Sequence, residues 1–120
     1  MLNDTNVILD GNWMTVPDIM EMTGATQSVV RTWLQERDVV GMRRGVNRAV
    51  MVPSAFLTPE GPLKSLRGTI SVLADSGLSD EQILQWLGEP DATLLGGTPI
   101  GALQAGHKAE IRRRAQETAF

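Results

Sequence analysis

Five arginines between Gln27 and Pro53 are the residues of this sequence best suited to chemistry, and that chemistry is the recognition of anions. The same stretch holds Glu36 and Asp38, so its net charge is +3, five positive minus two negative. A guanidinium presents donors in a fixed fork that fits phosphate or a purine edge. The five are Arg31, Arg37, Arg43, Arg44 and Arg48.

The charge of the whole chain, −3, conceals this local concentration. Residues 1–26 carry −4, residues 27–53 carry +3, residues 54–105 carry −4 and residues 106–120 carry +2. An acidic protein is repelled by a polyanion unless its positive charge is gathered in one place. Here the sign is segregated, which favours an anion-binding surface on residues 27–53.

The sequence contains no cysteine and only one histidine, His107, and this composition excludes several kinds of functional site. Disulfides, thiolate nucleophiles and Cys- or His-clustered metal sites are excluded, so no cofactor, metal or catalytic residue is expected. No Gly-rich phosphate loop follows a strand, and an enzyme is not expected. No apolar run approaches the ~20 residues that span a bilayer, and the N-terminus lacks a signal-peptide pattern. We therefore expect a cytoplasmic protein with no membrane partner.

Two short helices are predicted to position the first of the arginines. Thr15 and Pro17 are typical of a helix start, and Gly24 of a helix end. Thr26 then caps a second helix that we expect to run to about Arg37. Two helices joined by a tight glycine-containing turn are typical of a helix-turn-helix unit.

The second predicted helix has two faces at ~100° per residue. Its apolar side holds Val29, Val30, Trp33 and Leu34. Arg37 also falls there, and we expect it to pair with Asp38 or an acid of the first helix, or to lay its aliphatic stem over the core. An ordinary solvated surface usually mixes Glu and Lys, but the opposite face is polar and free of acids. Such a face can bind base edges in the major groove of double-stranded DNA. We call it the polar face: Ser28, Arg31, Thr32 and Gln35.

A β-hairpin is predicted next, over residues 39–53. Gly45 and Asn47 tolerate the positive φ of a tight tip, and Pro53 closes the second strand. Arg43, Arg44 and Arg48 lie at or beside that tip. Directly after a helix-turn-helix, such a hairpin is typical of a wing that grips phosphates or the minor groove, with Asn47 included in the contact. The alternative is a hairpin whose charges only prevent edge-to-edge association.

The remainder is predicted to be a linker, residues 58–62, followed by four helices. The expected fold is therefore α+β and mainly α: a winged helix-turn-helix domain at residues 1–57 and a small helical domain at residues 63–120. The helical domain would serve dimerisation or partner binding. In the last helix, we expect one or two of the arginines at 112–114 to interact with the C-terminal end of the helix dipole or to pair with acids of the preceding helices.

Several segments resemble known families. The N-terminal half resembles winged-helix domains of the MerR and excisionase type. The matching positions are residues 13–19, Gly24, residues 29–34 and residues 52–57. The C-terminal half resembles that of actinobacterial, mycobacterial-type DNA-binding proteins. These proteins have a winged helix-turn-helix and a characteristic helical C-terminal domain. The matching segments are residues 66–70, 80–87, 97–103 and 112–116. That resemblance covers about residues 13–120. It implies DNA binding through the second helix and the wing. We therefore expect a transcriptional regulator or a nucleoid-associated factor.

The resemblance also implies further partners. The family includes a Ser/Thr-kinase substrate, which makes Thr5, the one threonine before Trp13, the expected phosphorylation site. One wing and one helix read few base pairs, so a homodimer is expected. Residues 97–106 also resemble the toxin-binding domain of certain antitoxins. The alternative function is therefore a protein-interaction adaptor or antitoxin-like protein whose helical domain binds a protein partner.

Overall fold

The computed structural model describes residues 6–118, in which two short helices and a small sheet precede four further helices. The α+β, mainly helical class confirms the prediction. The elements are β1 (Trp13–Thr15), α1 (Val16–Thr23), α2 (Gln27–Gln35), β2 (Met42–Arg44), β3 (Ala49–Pro53), β4 (Leu57–Thr58), β5 (Gly61–Pro62), α3 (Leu66–Asp75), α4 (Asp80–Leu87), α5 (Pro99–Gln104) and α6 (Lys108–Gln116), with a 3-10 turn at Ser54–Phe56.

The first two helices begin and end as their capping residues dictate. The Thr15 hydroxyl accepts from the Asp18 N–H at 3.2 Å, and the Asp18 carboxylate accepts from the Thr15 N–H at 3.0 Å, which forms a reciprocal capping box. Gly24, at φ 76°, ends α1 in the left-handed conformation. Thr26 then caps α2 by accepting from the Val29 N–H. These caps fix the angle between α1 and α2.

A three-stranded antiparallel sheet in the order β1-β3-β2 follows from pairing across the hairpin. Met42 lies opposite Met51 within the hairpin, and Trp13 lies opposite Pro53 on the other side of β3. We call residues 42–53 the Arg hairpin. β1 was not predicted, because three residues carry too little periodicity and their partner strand lies far along the chain.

The predicted linker at residues 58–62 is wrong. Leu57 lies opposite Pro62 in a second, very short hairpin, and the Thr58 hydroxyl donates to the Gly61 carbonyl at 3.0 Å. The Trp33 ring packs against Gly61. Glycine and proline mark a flexible connection and a tight turn alike, so composition alone does not separate them. This turn is packed against α2.

Arg37 also departs from its predicted place. The helix ends at Gln35, and Arg37 adopts a left-handed φ of 63°. Its Nη1 lies 2.8 Å from Oδ1 of Asp80 at the start of α4, and not beside Asp38 or an acid of α1. The reversal of backbone direction after α2 swings the side chain toward the C-terminal helices. The end of α2 is thereby joined to α4.

One hydrophobic core runs through both halves of the chain. Fully buried side chains come from α1, α2, the 3-10 turn and each of the C-terminal helices, and include Ile19, Val30, Phe56, Leu73, Leu84, Leu103 and Ile111. Ile8, before the first strand, is also only 1% exposed. Its neighbour Asn6 donates from Nδ2 to the Gln85 carbonyl of α4 at 2.8 Å. The residues ahead of β1 thus pack on the C-terminal helices.

No helix between residues 6 and 118 is long and apolar enough to cross a membrane.

Candidate nucleic-acid interface

The polar face of α2 is exposed along its whole length. Ser28, Arg31, Thr32 and Gln35 are all exposed, whereas Val30, on the opposite side of the helix, is 1% exposed. The helix phase predicted from its caps therefore places these four side chains as expected. Val29 was assigned to the apolar side but is 42% exposed, because it lies in the first turn at the margin of the packed face.

Hydrogen bonds within α2 brace two of these side chains. With its amide oxygen turned toward Arg31, Gln27 accepts from Nη2 at 3.1 Å and from Nε at 3.3 Å. The Thr32 hydroxyl donates to the Ser28 carbonyl at 3.0 Å, which leaves its methyl group and oxygen lone pairs available. Arg31 is thus held in an extended, exposed position. Gln27 was missed in the sequence, although its spacing of four residues from Arg31 is the signal that could have found it.

The first turn of α2 holds no acidic residue. The unpaired N–H groups at a helix N-terminus attract anions, and an aspartate or glutamate there would compete with an external phosphate. In α1 and α4 that position is taken by Asp18 and Asp80, respectively. The N-terminus of α2 therefore stays open to an outside anion beside Ser28.

The tip of the Arg hairpin is a closed turn over residues 45–48. Gly45 has φ 79° and Arg48 has φ 54°, and the Arg48 N–H donates to the Gly45 carbonyl at 3.2 Å. Arg43 Nη1 donates to the Arg48 carbonyl at 2.9 Å, which fastens the second strand to the first. Arg43, Asn47 and Arg48 are all exposed. The turn thus presents two guanidinium groups and one amide to solvent.

Arg44 is placed differently from the other two hairpin arginines. Successive strand residues face opposite sides of a sheet, so Arg44 turns away from Arg43. Its guanidinium lies 4.2 Å from the centroid of the Trp13 ring, and Nη1 approaches the Leu9 carbonyl at 3.5 Å. Arg44 is therefore half-buried and ties the hairpin to β1 and to the segment before it. This stacking could not be predicted from the sequence, since it joins residues on separate strands.

The base of the hairpin is joined to α2. At Gly41, where the chain enters β2, Leu34 of α2 and Val52 of β3 approach from either side. Val39 and Val40, between α2 and the hairpin, are each 2% exposed. A short buried connection of this kind restricts the orientation of the hairpin relative to α2.

The arginines of the structure divide into paired and unpaired groups. Arg37, Arg67, Arg113 and Arg114 each lie within 4.0 Å of a carboxylate. In residues 6–118, no carboxylate lies that close to Arg31, Arg43, Arg44 or Arg48. The four unpaired arginines on α2 and the Arg hairpin keep their full charge for an external anion. Arg112, on α6, is likewise unpaired in this part of the chain.

Two of the three arginines of α6 form ion pairs, but their partners lie on α6 itself and in the loop before α5, and not on the preceding helices as expected. Arg113 Nη2 lies 2.7 Å from Glu110, and Arg114 Nη1 lies 2.8 Å from Asp91. The hydrogen bond from Arg113, followed by that from Arg114, lowers the pKa of Glu110. The pKa of Asp91 is lowered chiefly by its hydrogen bonds from Thr93, with Arg114 adding to the effect. This network stabilises charge within the helical part of the molecule.

Comparison with known proteins gives the chain a family. The family described as "Rv2175c C-terminal domain of unknown function" matches residues 63–119. The DNA-binding protein Rv2175c of Mycobacterium tuberculosis (strain ATCC 25618 / H37Rv) is 33% identical over 117 residues, which covers 88% of this chain and 79% of that protein. The chain belongs to the Rv2175c family.

A solved structure of this family has the same fold. The NMR structure of Rv2175c superimposes with a TM-score of 0.79 at 32% identity, covering 92% of this chain and 83% of that one. The match includes both the sheet-containing half and the C-terminal helices, since it spans nearly the whole chain. The predicted kinase target, Thr5, lies outside the described residues.

Proposed function

We propose that this protein binds double-stranded DNA as a transcriptional regulator, with α2 in the major groove and the Arg hairpin acting as a wing. The observation that carries the proposal is the group of four arginines, Arg31, Arg43, Arg44 and Arg48, without a neighbouring carboxylate in the described part of the chain. Guanidinium groups that no carboxylate neutralises attract the phosphate backbone. The name of the relative, a DNA-binding protein, supports the same conclusion.

Within α2, we assign base contacts to Arg31 and Gln35. A guanidinium can bind the O6 and N7 atoms of guanine, and a glutamine amide can bind the N6 and N7 atoms of adenine. The brace from Gln27 holds the Arg31 fork in place before binding, which lowers the conformational entropy lost on contact. Ser28, at the acid-free N-terminus, is assigned to a phosphate, and the Thr32 methyl to a thymine methyl.

Within the Arg hairpin, we assign the external contacts to Arg43, Asn47 and Arg48. Arg44 contributes its charge while its side chain holds the hairpin on Trp13, so we assign it a positioning role. About four neutralised phosphates would give a slope of log affinity against log salt near −4. That slope corresponds to a loss of roughly two decades of affinity between 50 and 200 mM salt.

The test replaces Arg43 by alanine and Arg48 by glycine in the full chain. Glycine suits position 48 because the residue there has φ 54°, so the turn is preserved while the charge is removed. The salt slope, measured by fluorescence anisotropy on duplex DNA, should fall by about two units. Arg113→Ala, which removes an exposed arginine already paired with Glu110, is the control and should leave the slope unchanged. An unaltered salt slope in the double variant would show that the Arg hairpin does not contact the DNA phosphates.

The proposal extends to assembly and organisation. We propose that residues 1–57 make the DNA contacts and that residues 63–120 support them. We further propose a binding function without catalysis, exercised on the nucleoid in the cytoplasm, with two copies bound at adjacent half-sites. Sedimentation in the presence of duplex DNA should show two chains per duplex. An adaptor or antitoxin-like protein would instead keep its activity when the Arg hairpin is neutralised.

A further inference from the structure

Val46 is the most exposed large apolar side chain in the described residues, at 99%. It lies at the tip of the Arg hairpin, between Gly45 and Asn47, where a turn usually carries a polar residue. The other exposed aliphatic residues, such as Leu95 at 57%, keep about half of their surface covered. The isopropyl group of Val46 touches almost nothing within its own chain.

The turn holds Val46 in a fixed direction. The Arg48 N–H donates to the Gly45 carbonyl at 3.2 Å, and the Arg43 guanidinium donates to the Arg48 carbonyl at 2.9 Å. These two hydrogen bonds close the turn from both strands. Val46 is consequently presented on a rigid tip with Arg43 and Arg48 beside it, and its protrusion requires no rearrangement on binding.

We propose that Val46 enters the minor groove at the edge of the DNA site and selects A·T base pairs there. This inference rests on the proposed DNA binding. The minor groove of an A·T pair presents only acceptors, whereas a G·C pair adds the guanine N2 amino group to the groove floor. An aliphatic group against that floor would leave the amino group unpaired and would crowd it. The arginines beside Val46 would bind the phosphates of the groove walls.

The chemistry separates this contact from those of the arginines. A phosphate contact depends strongly on salt and is indifferent to sequence. An apolar contact to the groove floor depends on sequence and is nearly independent of salt. Val46 therefore governs base preference at the wing position, and the arginines govern the salt slope.

The experiment begins with wild-type full-length protein and a random duplex library, which identifies a bound sequence and its A·T positions. Each flanking A·T pair is then replaced by G·C and by inosine·C. Inosine lacks the N2 amino group, so inosine·C keeps the major-groove pattern of G·C and restores the minor-groove pattern of A·T. For one flanking pair, wild-type affinity should fall roughly tenfold with G·C and recover with inosine·C.

Val46→Ala and Val46→Thr are then compared with wild type on the same duplexes. Val46→Ala should bring the ratio of A·T to G·C affinity close to one while leaving the salt slope unaltered. Val46→Thr should lower that ratio further, because its hydroxyl can accept from the guanine amino group. Leu95→Thr is the control for changing an exposed aliphatic residue. Unchanged thermal unfolding is expected for all three variants.

The failures of the two proposals are distinguishable. If wild type binds duplexes with a steep salt slope but Val46→Ala retains full A·T preference, Val46 does not read the groove and the DNA-binding proposal stands. If inosine·C behaves like G·C, the preference is read in the major groove and the inference is wrong. If wild type binds every duplex with equal affinity, the protein has no preference for A·T pairs and the inference about Val46 is wrong. If it binds no duplex, both proposals are overturned.

Discussion

At the scale of the residue, the stacking of Arg44 on Trp13 shows that arginines of one hairpin can have different roles. Arg43 and Arg48 are exposed, while Arg44 is half-buried over an aromatic ring. The indole N–H of Trp13 is buried without a hydrogen-bond partner among residues 6–118. The ring is therefore held by its face, through the guanidinium, and not by its polar edge.

The first prediction concerns that stack. Arg44→Ala should lower the free energy of unfolding by about 0.5–1 kcal/mol, because a partly exposed cation–π contact is lost. Arg44→Lys should retain part of the stability and all of the salt slope. Urea unfolding measures the stability, and DNA anisotropy measures the slope. Trp13→Phe, which keeps a ring face and removes the unpaired N–H, is the control. Equal stability of wild type and Arg44→Ala would contradict a structural role.

The second prediction concerns base reading by α2. Arg31→Ala should reduce discrimination at one base pair by about 1–3 kcal/mol, because a bidentate contact is lost. Gln27→Ala should weaken the same discrimination to a smaller extent, since the guanidinium remains but is no longer braced. Both effects are measured by binding to single-base variants of the selected duplex. Uniform weakening on every duplex would instead show that Arg31 contacts a phosphate.

At the scale of the element, the end of α2 is anchored to the C-terminal helices by ion pairs. Arg37 reaches Asp80 of α4, and Arg67 of α3 lies 3.5 Å from Asp38. Exposed pairs such as these contribute little to stability individually. Their effect is orientational, because they connect the helix that carries the polar face to two helices of the other half.

The third prediction uses the backbone of Arg37. Its left-handed φ of 63° costs any residue with a β-carbon about 1 kcal/mol relative to glycine. Both Arg37→Ala and Arg37→Gly lose the ion pair, but only glycine relieves the strain. Arg37→Gly should therefore unfold at higher urea concentration than Arg37→Ala. Asp80→Asn isolates the loss of the ion pair. Equal urea midpoints of unfolding for the alanine and glycine variants would show that the backbone is not strained at this position.

The fourth prediction concerns the loss of stability at low pH that follows from the ion pairs of α6. Hydrogen bonds from Arg113 and Arg114 lower the pKa of Glu110 in the folded protein. A lowered folded-state pKa stabilises the protein above the unfolded value and loses that effect as pH falls through the folded value. The melting temperature should therefore drop below about pH 4.3, the ordinary value for glutamate. Glu110→Gln should reduce the drop, whereas Glu60→Gln should not. Parallel curves for wild type and Glu110→Gln would contradict the network's role.

The elements differ in how far the sequence foretold them. Helices α1, α2, α4 and α5 follow from a cap and a short apolar stripe, both of which are local signals. Strand β1, the second hairpin and the Arg37–Asp80 pair depend on partners distant in the chain. The polar face was predictable because a cap fixes helix phase. Gln27 and Trp13 were missed because side-chain rotamers and cross-strand stacking decide their contacts.

At the scale of the whole molecule, the two halves share one core. Besides the buried apolar residues, Gln104 of α5 donates from Nε2 to the Ala55 carbonyl at 3.0 Å. The Leu63 N–H donates to the Phe56 carbonyl at 2.8 Å. Separating the halves would expose Phe56 and Leu66, both of which are fully buried. The helical half thus completes the interior of the half that carries the polar face.

The fifth prediction is a single cooperative unfolding transition. Trp13 and Trp33 report on the sheet-containing half, and Trp86 reports on α4. Variants with Trp86 replaced by Phe, or with Trp13 and Trp33 replaced by Phe, should give coincident fluorescence transitions in urea, which also match far-UV circular dichroism. Two separated transitions would show that the halves unfold independently.

The segment ahead of β1 has a consequence for how the protein is made. Asn6 donates to the carbonyl of Gln85, which lies 79 positions later, and the Val7 N–H donates to the carbonyl of Gly88 at the end of α4. Ribosomal synthesis delivers the donors of both hydrogen bonds long before the acceptors. The contacts of the earliest described residues therefore form only after α4 has been synthesised. A nascent chain that stopped after the Arg hairpin would expose the apolar surface that the C-terminal helices cover in the finished protein, and would be open to proteolysis.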